Sequence, residues 1–259
     1  MGSSFKNIGA IAGKELRGYF ASPIGWVILG LFGAIFAIFF NGYLDWFAKQ
    51  SMQSQFGGGP PTVNVNTMMI RPLFSNISVI LLFMAPMMTM RAYAEEKRSG
   101  TIELLLTSPV TDWEITLGKF LGAMGLLCGI LLVTLVYMSV LFIWGNPEWK
   151  PVLTGYLGLL LLGGSFVAMG LFISSTTKNQ MVAGAATFVC FLMLWIISWL
   201  SEGSGPTAAP ILTYLSITEH LDDFAKGIID TKHVIFYLSF ISFGLFLTVR
   251  SLDTERWKG

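Results

Sequence analysis

Six stretches of this 259-residue chain run for the length of a membrane crossing with almost no charge, and that pattern leaves little choice of fold. They lie near 25–44, 73–90, 117–144, 153–173, 181–200 and 234–249. A helix needs about 20 mostly apolar residues to cross a bilayer. The last run is short and needs help from its flanks. Charged residues make up only 12% of the chain, about half the roughly 25% of a soluble domain. Inside hydrocarbon only helices and closed barrels satisfy the backbone. Barrel strands alternate apolar and polar residues, and these runs do not. The expectation is an all-α, polytopic membrane protein with six transmembrane helices in one domain, 1–259.

Lys and Arg set the orientation. With the N-terminus inside, the inner flanks hold Lys6, Lys14, Arg17, Arg91, Lys97, Arg98, Lys119, Lys178, Arg250, Arg256 and Lys258. The outer flanks hold Lys49, Arg71, Lys150, Lys226 and Lys232. This asymmetry predicts that both termini face the cytoplasm. The first run is too long for a signal peptide and Asn41-Gly42-Tyr43-Leu44 is a poor cleavage site, so it reads as a retained helix. Lys6 stands where a myristoylation signal wants Ser or Thr. Cys128 and Cys190 sit mid-run and read as small packing residues. Trp26, Trp46, Trp144, Trp149, Trp199 and Trp257 fall near run ends, as interface anchors do.

Between the runs the chain is punctuated. Residues 7–21 place Ile8, Ile11, Leu16, Tyr19 and Phe20 at helical spacing around Lys14, Glu15 and Arg17, and Pro23 ends the pattern. That predicts a helix lying in the membrane interface. Residues 45–71 read as an outer loop, with Gly57-Gly58-Gly59-Pro60-Pro61 as a flexible connection. Pro86 predicts a kink in the second span. The extracytoplasmic segment 201–233 contains Pro206 and Pro210, then a capping box at Ser216-Ile217-Thr218-Glu219. Leu221, Phe224, Ala225 and Ile228 follow on one face, with Asp222, Asp223 and Lys226 on the other. An amphipathic helix on the outer interface is expected there.

The loop 92–110 is the unusual one. A turn between two spans needs about four residues. Here Glu95-Glu96-Lys97-Arg98-Ser99 leads to Gly100, then a stub, Thr101-Ile102-Glu103-Leu104-Leu105-Leu106-Thr107, then Ser108-Pro109. Gly100 ends the charged turn, Thr101 is placed to cap the stub, and Pro109 stops it. Thr111-Asp112-Trp113-Glu114 is a capping box that starts the third span. Leu104, Leu105 and Leu106 are costly in water unless lipid or a partner covers them. The bland alternative is a polar turn; the stub favours docking. Gly118, Gly122, Gly125 and Gly129 give the third span a small-residue face, for a second chain or for packing within this one.

No catalytic constellation is visible. The two histidines, His220 and His233, exclude a zinc-protease pair. No Gly-rich Lys loop for ATP phosphates occurs. The interiors of the runs lack Asp, Glu, Lys, Arg and His, which argues against a proton- or sodium-coupled carrier and against a charged-ring channel. Met84, Met87, Met88 and Met90 could bind Cu(I), but flexible packing is the ordinary role of methionine in a span.

The run from Glu95 to Pro109, placed between spans two and three, resembles the permease subunits of ABC-2 type ATP-binding-cassette transporters: an acidic-basic run, Gly-Thr, a Glu-Leu-Leu core, then Ser-Pro. The segment His220-Leu221-Asp222-Asp223-Phe224-Ala225-Lys226-Gly227-Ile228-Ile229-Asp230 looks like the branch associated with bacterial gliding motility. The resemblance implies a type V exporter-like fold in the bacterial inner membrane, with a short cytoplasmic coupling helix over 101–107. It implies two permease copies, identical or homologous, over a dimer of ABC ATPase subunits, and in this branch a further membrane protein facing the periplasm. ATP and Mg would belong to the ATPase, leaving no cofactor and no catalytic residue in this chain. The coupling residues it implies are Glu95, Glu96, Arg98, Gly100, Thr101, Glu103, Leu104, Leu105, Ser108 and Pro109, with Glu95, Glu96 and Arg98 orienting the stub through charge pairs. Export or extraction of a substrate follows as the expected function. The rival is a membrane anchor that passes mechanical change from an ATPase to periplasmic partners without carrying a solute.

Overall fold

The computed structural model describes residues 2–56, 64–145, 147–203, 205 and 208–256. Six of its helices are long and apolar enough to cross a membrane: α2 (Pro23–Phe56), α3 (Arg71–Thr89), α6 (Asp112–Trp144), α7 (Trp149–Thr176), α8 (Gln180–Glu202) and α11 (Thr231–Arg256). Shorter helices complete the order: α1 (Gly2–Ala21), α4 (Ala94–Ser99), α5 (Thr101–Leu106), α9 (Ala209–Leu215) and α10 (Glu219–Ala225). A π-helical turn, Asn66–Ile70, leads into α3. Among the described residues there is no strand. The chain is an all-helical membrane protein, as the apolar runs require.

The helices outrun their apolar cores. α2 has 34 residues, a rise of about 51 Å against a hydrocarbon layer of about 30 Å. Its second half, 45–56, was expected as loop. It stays helical because Asp45, Ala48, Lys49, Gln50 and Gln53 are ordinary helix residues with no breaker among them. The glycine-proline run 57–61, Pro206 and Trp257 lie outside the described residues. Likewise α11 gains Thr231–His233 in front and Arg250–Arg256 behind, the flanks its short apolar run needed.

The centre of the bundle is α7, which packs against α3, α6, α8, α10 and α11. Its glycines are the reason. Gly163 faces Leu127 of α6, Gly158 faces Leu221 and Phe224 of α10, and Gly244 of α11 lies against the α7 backbone at Ala168. Small residues let helix axes close up where no water-driven force separates lipid from leucine. The methionines of α3 are packing residues, with Met84 and Met88 buried in the core. Cys128, expected among packing residues, is instead exposed on the outer surface of α6.

The glycine face of α6 takes α1, not a second chain. A Cβ on Gly118 would come 2.6 Å from Ile11 Cβ, and one on Gly122 would come 2.6 Å from Glu15 Cβ. The interfacial helix therefore lies on the foot of α6. The Tyr19 hydroxyl fastens it by donating to Met88 O at 2.6 Å.

At the opposite end, α10 is shorter than the amphipathic helix expected there. Leu221, Phe224 and Ala225 are buried, with Leu221 and Phe224 against Gly158 of α7, so the apolar face is covered by protein rather than lipid. The helix stops before Ile228, which is 53% exposed beyond the left-handed turn at Gly227 (φ 89°). The capping box at 216–219 does not form. Thr218 is the N-cap without a side-chain bond, because its hydroxyl pairs with that of Ser216 at 3.3 Å. Arg71 and Asp222 form a two-pronged ion pair that ties α3 to α10, at 2.7 and 2.8 Å.

Candidate functional site: a projecting helix on an ion-paired base

The stub exists because one glycine reverses the chain. Gly100 has φ 72° and ψ 4°, the left-handed region, and serves as C-cap of α4 and N-cap of α5. A side chain is strained there whatever space surrounds it. Thr101, expected to cap α5, is instead its first residue, and no side-chain cap bond forms. Its hydroxyl pairs with that of Ser99 at 2.9 Å. The far end is closed locally: Thr107 donates to Glu103 O at 2.9 Å and Ser108 to Leu105 O at 2.5 Å. Pro109 follows, after α5 has already ended at Leu106.

The face of the stub is narrower than three leucines. Ile102 is buried at 7% exposure and Leu105 is partly buried against the core. Leu104 points outward, 73% exposed, with Glu103 and Thr101 also exposed. Glu95, Arg98 and Ser99 are exposed on the adjoining α4. The tip thus presents one large apolar side chain among charges of both signs.

Behind the tip lies a base of buried ion pairs. Lys119 of α6 is 2% exposed in its side chain. Its ammonium donates all three protons: to Glu15 Oε1 at 2.7 Å, to Ala92 O at 2.7 Å and to Glu96 Oε1 at 2.9 Å. An ammonium has three donors and no acceptor, so it is fully satisfied. One residue thereby joins α1, α4 and α6. Lys97, 3% exposed, pairs with Glu255 of α11 at 3.0 Å, and Arg256 pairs with Asp112 of α6 at 2.9 Å. The capping box at 111–114 forms as expected, with Thr111 and Glu114 bonding each other's backbone. Ser174 of α7 accepts from Tyr93 N and Ala94 N and donates to Met90 O, so it satisfies the orphan amides at the start of α4.

Glu95, Glu96 and Arg98 were expected to orient the stub by charge pairs. Glu96 pairs with Lys119 and turns away from the stub. Among the described residues no ion pair involves Glu95 or Arg98. The buried charges that brace α4 against its neighbours, Lys97, Lys119 and Glu15, are ones the sequence did not expose. Lys119 stands only three residues into an apolar run and so reads as a flanking charge. A cation followed at once by a long uncharged run, opposite an acidic residue in a neighbouring amphipathic helix, was the available signal.

At the joint between α3 and α4, Arg91 Nε and Glu96 Oε2 have no protein hydrogen-bond partner. Both residues line a cavity of about 280 Å³ bounded by α1, α3, α4 and Lys119.

Comparison with known proteins matches this arrangement to one family. The model of the ABC-2 family transporter proteins matches residues 9–247. The chain is 28% identical over 156 residues to "Probable multidrug ABC transporter permease YbhR" of Escherichia coli strain K12, and equally to the protein of that name in E. coli O157:H7. That alignment takes in 60% of this chain and 42% of the relative, so the chain spans about two fifths of the curated relatives it matches.

Proposed function

The chain belongs to the ABC-2 family of transporter permeases, and we propose that it is the inner-membrane subunit through which a separate ABC ATPase drives export or extraction of a substrate. The observation that carries this reading is α5: a six-residue helix projecting from an ion-paired base with Leu104 73% exposed. An uncovered leucine on a braced helix is suited to anchor that helix in an apolar groove of a soluble partner. Glu95, Arg98, Thr101 and Glu103 then form the polar rim, while Gly100, Leu105, Ser108 and Pro109 hold the shape.

In this reading the ATPase has two states, and it biases the bundle through α5. Lys119, Lys97 and Arg256 would carry the displacement from α4 to α1, α6 and α11. ATP and Mg act in the ATPase subunit. The chain pairs with a second permease copy, and both termini face the cytoplasm, as the Lys and Arg distribution favours. Its placement in the gliding-motility branch, with a periplasm-facing membrane subunit, rests on 220–230 alone and is part of the proposal.

The test is Leu104→Asp in the full chain, co-expressed with its ATPase. The variant is expected to insert normally and to lose both co-purification of the ATPase and coupled hydrolysis. Normal coupling in the variant rules the docking surface out. Substrate-stimulated hydrolysis in liposomes separates transport from the anchor role, which predicts none.

A further inference from the structure

The two histidines of this chain meet at the end of the bundle opposite the stub. His220 opens α10 and His233 lies in the first turn of α11, and their Nδ1 atoms are 2.5 Å apart. His220 Nε2 lies 2.9 Å from Tyr214 O at the end of α9. His233 Nε2 lies 2.9 Å from Asp223 Oδ2. Both rings are buried, at 3% and 8% exposure, so water does not patch a missing bond.

The partners fix the protons. A backbone carbonyl only accepts, so His220 Nε2 carries hydrogen and donates to Tyr214. An ionised carboxylate only accepts, so His233 Nε2 carries hydrogen and donates to Asp223. Burial alone would raise the Asp223 carboxyl, but hydrogen bonds from His233 and Lys226 outweigh it and hold the group below the usual carboxylate range. One further hydrogen is then needed between the two Nδ1 atoms. The two rings hold three protons, one more than two neutral imidazoles. The extra charge is balanced by Asp223.

No other proton count works. With one proton fewer, either two Nδ1 lone pairs face each other or His233 turns a lone pair toward Asp223. With one more, two N–H groups collide. We propose that Asp223, His233 and His220 form a one-proton site that latches the ends of α9, α10 and α11 together, and that loss of its proton as external pH rises opens the latch.

The surrounding charges fit this assignment. Burial first, then the positive neighbours His233 and Lys232, hold the His220 imidazole below its ordinary value, against the pull of the Tyr214 carbonyl and Asp223. His220 is thus suited to be the neutral acceptor. Lys226 sits on Asp223 Oδ1 at 3.2 Å and also on Asp222, which Arg71 of α3 holds. Lys232 is paired to Asp230 at 3.1 Å. Glu219, beside His220 in sequence, is exposed. The Tyr237 hydroxyl of α11 is committed to Ile217 O at 2.8 Å. α7 meets α10 through Gly158 and the Thr154 hydroxyl, which carry no charge.

The latch does not depend on the ATPase reading. Its test is magic-angle-spinning NMR on the full chain in bilayers, labelled with nitrogen-15 at histidine. With only two histidines the assignment is direct. The expected spectrum at about pH 5, below the ordinary histidine value, shows one doubly protonated ring, one ring protonated at Nε2 alone, and a scalar coupling between the two Nδ1 nuclei. Two neutral rings, or rings without that coupling, overturn the proposal. The spectrum needs no variant. A second readout is hydrogen exchange over 209–225, corrected for intrinsic rate, on raising the pH to about 9. It is expected to speed up by about tenfold or more, the worth of a hydrogen bond to a charged group. His220→Phe, which keeps a ring against Phe236, should abolish that step and Asp223→Asn should move it to lower pH. An unchanged step in both variants also overturns the latch.

Discussion

Replacing Lys119 by leucine should do more damage than any change at the stub it supports. The ammonium is 2% exposed and faces Glu15 and Glu96, whose side chains are 19% and 18% exposed. Removing it leaves two carboxylates facing each other and Ala92 O without its donor. Breaking a buried ion pair from one side costs about 3–5 kcal/mol. Because both carboxylates keep some solvent contact, the low end, about 3 kcal/mol, is the better figure. At roughly 2–4 °C per kcal/mol for a chain of this size, melting in mild detergent should drop by about 6–12 °C. Adding Glu15→Gln and Glu96→Gln to Lys119→Leu should restore most of the loss, since exchanging a whole buried triad for neutral groups is close to neutral. A Lys119→Leu protein that melts with the wild type, or a triple variant as unstable as the single one, refutes this account of the base.

Other changes separate the parts. Gly100→Ala has open space for its Cβ but must hold φ 72°, which costs about 1–2 kcal/mol; coupled ATP hydrolysis should fall and the melting temperature should drop by about 2–8 °C. Gly122→Val drives a side chain into Glu15 and should unseat α1, seen as faster proteolysis of 2–21 and a lower melting temperature. Acid should loosen the outer segment by a route separate from the histidine latch. Burial raises the Asp222 carboxyl, but Arg71 and Lys226 outweigh it and hold the group below its usual value. A depressed carboxyl contributes stability above its unfolded value of about 3.9, and that stability is lost as pH falls through the folded value. Protection of 219–226 against hydrogen exchange should therefore fall on acidification, and Arg71→Gln should weaken that dependence, Lys226 still holding Asp222.

What could be read from the sequence was what depends on local composition. Six apolar runs can only be spanning helices, and Thr111 with Glu114 can only favour a helix start, so both were visible without tertiary information. Gly100 was legible for the same reason, as a break between two helix-forming stretches. Contacts were not. The glycines of α6 announced a close neighbour but not its identity, since α1 and a second chain satisfy them equally. The glycines of α7 do not stand out in the sequence, although that helix organises the bundle, because glycine is common in spans. Lys119 was hidden by its position at the edge of an apolar run, where a snorkelling lysine is expected; only the acidic residues of α1 and α4 make burial affordable. Residues 45–56 are polar enough to read as loop, yet polarity alone does not end a helix, and no breaker occurs before Gly57. The outer capping box failed because Ser216 and Thr218 pair with each other.

In the proposed function α5 is the point where a soluble ATPase takes hold of this bundle. The most direct measurement is purification of the tagged full chain in mild detergent, with co-purifying proteins identified by mass spectrometry, for the wild type and for Leu104→Asp. The account predicts an ABC ATPase bound to the wild type and absent from a variant that melts at the wild-type temperature. An ATPase retained by Leu104→Asp, or a stable wild-type complex that contains none, contradicts it.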